Sequence, residues 1–244
     1  LLAALIGDYH SIAVAGTHGK TTTSSMVGAI LLAAELDPTI VVGGEVNAWE
    51  GNARLGHSEY LVAEADESDG SLVKFAAKIG IVTNIELDHP DHYADLEAVV
   101  STFETFTDRC QAWVGNADCQ VVRERLKPKI SYSLRSDAQA DYWVDRVTYS
   151  ANGTQARVWE RGKVLGEVHL GVLGEHNLSN ALAAIAVARV LDVGFEPIAL
   201  ALRKFEGARR RFEQRGFANG ILFVDDYAHH PSEIQATLSA ARLR

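Results

Sequence analysis

The chain has 244 residues, 47% of them apolar and 23% charged, which suits one large folded domain or slightly more and excludes wholesale disorder. Its 23 Lys and Arg against 32 Asp and Glu give a net charge of −9, the wrong sign for nucleic acid or an anionic membrane surface. No apolar run reaches the roughly 18 residues of a membrane span, no signal-peptide pattern is read, and Cys110 and Cys119 are expected as reduced thiols of a cytoplasmic protein.

In chain order, Leu1–Ile6 reads as a piece of helix and Ser11–Ala15 as a strand. A helix is expected over Thr21–Ala34, with Met26, Val27, Ile30, Leu31 and Ala34 on one face. Strands follow at Thr39–Val42, Glu59–Ala65 and Ile79–Thr83, then a helix at Asp95–Asp108, a strand at Ala112–Val114, a helix at Asp118–Leu126 and a strand at Lys129–Ser133. Strands alternating with helices of this length predict an α/β fold, a mostly parallel sheet flanked by helices. The pattern then changes. Tyr142–Tyr149, Gln155–Glu160 and Val164–Leu170, joined at Asn152-Gly153 and Arg161-Gly162, predict a small antiparallel meander. Helices are expected at Leu178–Leu191 and Glu196–Phe205. The polar stretch 208–216 suits a hinge, after which Ile221–Val224 and Ser232–Leu243 look like the first strand and helix of a new unit. The division expected is therefore a domain over 1–207, a hinge over 208–216 and the start of a second domain over 217–244. Both ends of the chain fall inside helical patterns, so a fragment of a longer protein is expected.

Between the first strand and the first long helix lies Gly16-Thr17-His18-Gly19-Lys20-Thr21-Thr22. Glycines there let backbone N–H groups turn toward an anion, and the helix N-terminus adds partial positive charge. Lys20 is placed to reach the β- and γ-phosphates of a nucleotide triphosphate and Thr21 to ligate Mg²⁺. Val14 stands where the common phosphate-loop pattern has its first glycine, so this loop is a shorter variant beginning at Gly16.

Leu61–Asp69 runs an apolar strand into Glu64, Asp66, Glu67 and Asp69. At the carboxyl end of a strand beside a phosphate loop, Glu64 is the expected metal ligand, whereas Glu67 and Asp69 read as a solvated acidic loop. Asp88, His89, Asp91 and His92 admit a second reading, the dinuclear site of a metal-dependent phosphohydrolase. A nucleotide switch that hydrolyses ATP only to change partners is a third.

The stretches AGTHGKTTT, EADESD, VTNIELDHPDHY, GEHNLSNALAA, GARRRFEQRG and VDDYAHHPSE, in this order between Gly16 and Glu233, resemble the Mur ligases. They are most similar to the branch that joins L-alanine to UDP-N-acetylmuramate in peptidoglycan synthesis. A sibling branch that attaches preformed peptide in wall recycling usually carries tyrosine where this chain has Ser68. The resemblance implies ATP and Mg²⁺, with a P-loop-type central domain, a Rossmann-like C-terminal domain of which only the beginning is present, and an upstream domain for the uridine nucleotide. It implies phosphate contacts from Lys20, metal ligation by Thr21, Glu64 and His89, and an adenine and phosphate cradle at His176, Asn177 and Asn180. Arg211 matches an arginine that contacts the γ-phosphate, and Asp226 an acid near the ribose. The chain alone is expected not to complete ligation. Val100–Arg109 contains no lysine where other branches carry a carboxylated one, in agreement with the alanine-adding branch. Pro90 stands where methionine is frequent.

Overall fold

The structure, a computed structural model, describes residues 2–244; Leu1, the head of the opening apolar run, lies outside the described residues. The elements are α1 (Leu2–Asp8), β1 (His10–Ala15), α2 (Lys20–Ala33), β2 (Thr39–Val46), β3 (Gly51–Arg54), β4 (Tyr60–Glu64), β5 (Ile79–Val82), α3 (Leu96–Arg109), β6 (Ala112–Asn116) and β7 (Ile130–Ser133). There follow β8 (Tyr142–Ser150), β9 (Gly153–Glu160), β10 (Lys163–Leu170), α4 (Glu175–Val190), α5 (Phe195–Lys204), β11 (Glu213–Ala218), β12 (Ile221–Asp225) and α6 (Pro231–Ala241).

Ten strands form one sheet in the order β10–β9–β8–β7–β6–β5–β1–β4–β2–β3. Its centre is parallel, as the alternation of strands and helices predicts. The predicted meander β8–β9–β10 is antiparallel within itself, yet it continues the same sheet through parallel pairing of β7 with β8. Strand β3, an edge strand with Gly51 and Asn52 and no apolar alternation, has no periodic signal in the sequence. β1 lies between β4 and β5: the chain leaves it for β2 on the β4 side and later crosses from β4 to β5 on its other side. Such a switch point opens a crevice at the carboxyl end of the strand, where the phosphate loop begins.

Alternation along β1 divides the core. Ile12 and Val14 pack on the face covered by α2, α4 and α5, whereas Ala13 and Ala15 pack on the face covered by α1 and α3. α2 is more deeply buried than an amphipathic reading suggests: Thr21 to Ser25 are buried along with Met26, Val27, Ile30 and Leu31. Ser24 and Ser25 satisfy their hydroxyls by donating to the Lys20 and Thr21 carbonyls. α4 is equally enclosed from Asn180 to Ala188, and its small side chains bring it close against α2. This packing sets the N-termini of the two helices side by side.

The stretch expected as a hinge is partly ordered. Arg209 N–H donates to the Glu45 carbonyl at 2.8 Å and Ala208 bridges Val46, while Glu213 to Gly216 already belong to β11, which pairs with β12. Cys110 and Cys119 are free thiols. Burial pushes the Cys110 thiol up to about 12. Alkylation of the folded chain at mildly alkaline pH should therefore modify Cys110 far more slowly than after denaturation, as peptide mass mapping can read; equal rates would show that its burial is wrong. No helix among the described residues is long and apolar enough to cross a membrane.

Candidate nucleotide and metal site

The loop after β1 is held in shape by its own glycines and by the segment after β5. Gly16 has φ +136° and Gly19 φ +82°. Thr17 N–H donates to the Asn84 carbonyl at 3.0 Å, and His18 N–H to Asn84 Oδ1 at 2.9 Å. The Thr83 hydroxyl donates to the His18 carbonyl at 2.6 Å, and Glu86 N–H to Thr17 Oγ1 at 2.9 Å. Gly19 caps α2 without a side-chain bond to the first turn, which leaves that end of the helix open toward an anion. A Cβ on Gly16 would overlap Thr83 Oγ1. Gly16→Ala should accordingly cost at least about 1–3 kcal/mol in backbone strain and weaken binding of an ATP analogue. Thermal melting and calorimetry check this, and wild-type values in both would remove the loop from the account.

Lys20 curls back over the loop. Its Nζ donates to the Gly16 carbonyl at 2.7 Å, the Thr17 carbonyl at 3.2 Å and the Glu67 carboxylate at 2.9 Å. Glu67 is 1% exposed, which corrects its reading as part of a solvated loop. The physical reason lies downstream. Leu72 and Phe75 anchor the turn Ser71–Lys74 in the α3-side core, and the Tyr93 hydroxyl donates to the Glu67 carbonyl at 2.6 Å, so the acidic segment is drawn inward. Burial raises the Glu67 pKa even against the Lys20 charge. Asp69 is exposed, as expected.

Thr21 Oγ1 donates to Glu64 Oε1 at 3.1 Å, and the other Glu64 oxygen accepts Gly43 N–H at 2.6 Å. Mg²⁺ holds oxygens at about 2.0–2.1 Å in an octahedron, which places adjacent ligands about 3 Å apart. The Thr21–Glu64 pair fits such an ion. His89, held at φ +54° ahead of Pro90, brings its imidazole within 4.8 Å of the Asp66 and Glu67 carboxylates. Asp88 Oδ1 accepts His89 N–H, and the His92 ring packs edge-on to Tyr93. The Asp88–His92 run therefore forms no common ligand cluster among the described residues.

Opposite the loop stands the start of α4. A Cβ on Gly19 would lie 2.5 Å from Asn180 Oδ1, which measures how closely the two helix ends approach. Asn177 donates to the Leu173 carbonyl at 2.7 Å. His176 is partly buried; desolvation lowers its pKa, Arg211 adds to this, and Asp226 opposes it. A neutral imidazole suits an uncharged heterocycle better than a phosphate. A cavity of about 280 Å³ lies between His18, Gly19 and Thr22 on one side and His176, Asn180, Arg211 and Asp226 on the other. Both Asp226 oxygens accept backbone N–H groups, from Phe212 at 2.7 Å and Ala228 at 2.8 Å. Arg211 Nη1 lies 3.7 Å from Glu233 and its guanidinium sits over the Tyr227 ring.

Sequence reasoning missed the residues that close this cleft. Glu233 meets His18 Nδ1 at 3.3 Å, and Glu86 meets His18 Nε2 at 3.4 Å. Burial disfavours charge on His18, but the Glu233 and Glu86 carboxylates outweigh it and raise the pKa. Glu233 is opposed by its own burial, yet His18 and the N–H groups of His229 and His230 hold it at about 2. Pro231 at the first helical position with Glu233 two residues later was the available signal for a helix start at His230, which is a capping box in the structure.

Residues 14–188 match the sequence profile of the Mur ligase middle domain and residues 210–244 that of the Mur ligase glutamate ligase domain. The chain is 68% identical, over all of its length, to 51% of a UDP-N-acetylmuramate–L-alanine ligase from Nostoc punctiforme, and 66% identical to 51% of one from Synechococcus elongatus. The chain thus spans about half the length of the curated relatives it matches. Among solved structures, UDP-N-acetylmuramate–alanine ligase from Thermotoga maritima superposes with a TM-score of 0.85 at 32% identity, over 95% of this chain and 54% of that one. A murein peptide ligase from Psychrobacter arcticus gives 0.75 at 30% identity, over 97% and 55%.

Proposed function

The chain belongs to the Mur ligase family, and from that premise we propose that it carries the ATP-handling part of an ATP-dependent ligase joining L-alanine to UDP-N-acetylmuramate. A carboxylate does not condense with an amine at neutral pH until one oxygen becomes a leaving group. Phosphoryl transfer from ATP supplies this as an acyl phosphate; the alanine nitrogen then attacks the carbonyl carbon, and the tetrahedral intermediate expels inorganic phosphate. No covalent nucleophile from the protein is required. Positioning and charge neutralisation are.

The single observation that carries this reading is the gathering of Lys20 and the Thr21–Glu64 pair at the open first turn of α2, beside the cleft that Gly19 and Thr22 line. Lys20 would exchange Glu67 for phosphate oxygens, and Arg211 would meet the triphosphate from the far wall. His176 and Asn180 would orient the base, and Asp226, on the second unit, the ribose. Thr21 and Glu64 would hold Mg²⁺, with His89 the further ligand implied by resemblance. Bound there, Mg²⁺ supplies charge neutralisation to the phosphates. Such chemistry belongs to the cytoplasm, where ATP and the uridine nucleotide are found together.

Muramate labelled with heavy oxygen in its carboxylate tests the route in a protein containing this chain. One labelled oxygen should pass into inorganic phosphate for each amide formed. Label retained wholly in the amide and unreacted acid would contradict an acyl phosphate.

A further inference from the structure

We infer that His18, Glu86 and His230 form a second cation site, for a borderline divalent metal such as Zn²⁺, which ties the start of α6 to the phosphate loop. The three ligand atoms come from separate segments and lie within 4.8 Å of one another. Glu86 Oε2 is 3.4 Å from His18 Nε2 and 3.4 Å from His230 Nδ1. Ser232 Oγ lies 3.4 Å from His18 Nε2, 2.7 Å from Glu86 Oε2 and 2.6 Å from His230 Nδ1. Zn²⁺ takes nitrogen at about 2.0–2.1 Å and oxygen at about 2.0–2.2 Å, so neighbouring ligands of a tetrahedron stand about 3.3–3.4 Å apart. The carboxylate–imidazole spacings already match that edge. The serine hydroxyl, at 2.6–2.7 Å from the His230 and Glu86 atoms, is closer than that edge and hydrogen-bonds to the ligands, which leaves the fourth position to water.

Two further features fit a zinc site better than a magnesium one. Two imidazoles and one carboxylate are a borderline donor set, whereas Mg²⁺ prefers oxygen alone. The outer nitrogen of His18 meets Glu233 at 3.3 Å, the carboxylate–histidine arrangement that fixes the tautomer of a metal-bound ring and strengthens it as a ligand. The His18 side chain is 13% exposed, that of His230 22% and that of Glu86 41%, so an ion can enter from the Glu86 side. Because Glu86 and Ser232 also line the cleft, Zn²⁺ held here fixes α6 over the loop.

Titration of the chain with Zn²⁺ alone, followed by calorimetry, should show one site per chain. His230→Ala and Glu86→Gln should each lower its affinity at least about tenfold. His229→Ala and Glu64→Gln should leave it unchanged, and excess Mg²⁺ should not displace the metal. Co²⁺ should give the intense visible absorption of tetrahedral ligation in the wild type and lose it in His230→Ala, with circular dichroism confirming that each variant folds. No stoichiometric zinc binding overturns the site, as does wild-type affinity in both ligand variants. The readout is metal binding, so it stands or falls separately from the ligase reading.

Discussion

Replacing Lys20 with alanine is expected to lower turnover by at least about 10²–10³-fold, the effect of removing one preorganised charge stabiliser from a transition state. Lys20 stands at the first residue of α2, after a glycine with φ +82°, beside the open helix end. The same substitution should also destabilise the fold, because Glu67 would be left buried without its partner, a loss of about 3–5 kcal/mol for a charge that cannot escape. Glu67 can escape by taking up a proton, and the sign of the pH dependence follows. Burial already raises its folded pKa above 4.5, and loss of Lys20 removes the opposing charge, raising it further. Below about pH 4.5 the acid is neutral in both folded and unfolded chains and the variant loses little. As pH rises through this window toward the raised folded pKa the penalty grows, then levels off above it. Thermal melting across pH reads this directly. The double change Lys20→Ala with Glu67→Gln should restore stability without restoring turnover. Recovery of both would mean that Lys20 acts on structure alone.

The second large effect separates two glutamates only three residues apart. Glu64→Gln should raise the Mg²⁺ concentration needed for half-maximal activity sharply, since the Thr21–Glu64 pair loses its charge while Gly43 N–H retains an acceptor. Glu67→Gln should leave the Mg²⁺ requirement near normal and instead alter affinity for an ATP analogue, because it loosens the resting position of Lys20. The sequence alone reads Glu67 as solvated, and the effect on the ATP analogue follows from its burial against Lys20. A Mg²⁺ titration of both variants decides the matter; equal shifts in the two would mean that the acidic segment acts as a diffuse field and holds no specific ion.

The parallel sheet and the phosphate loop were legible because both rest on local signals: β-branched runs between helical patterns, and glycines beside a Lys-Thr pair. Thr21 and Glu64 could be paired from the sequence because each closes or opens an element whose end is plain. What the sequence hid was set by distant packing. Glu67 is polar by type, and only Leu72, Phe75 and the Tyr93 hydroxyl pull it inside. β3 has no alternation to betray it, and β11 arises because residues 213–216, polar enough to read as a hinge, find a partner in β12. That the His89 ring gathers with Asp66 and Glu67 depends on how two separate loops meet, which no local signal shows. The cleft wall from Glu233 and Ser232 was visible only as a helix-start pattern, with no sign of what it would face.

The central claim is that ATP is consumed in this cleft to activate a carboxylate for an amine. It is tested most directly by measuring ADP and amide formation together in a protein containing this chain, while UDP-N-acetylmuramate and L-alanine are each omitted in turn. The expected result is one ADP per amide with both substrates present, and near-complete loss of amide formation with either absent or with Lys20→Ala. ADP formation at an undiminished rate without either substrate would contradict the claim and make the chain a nucleotide-hydrolysing switch.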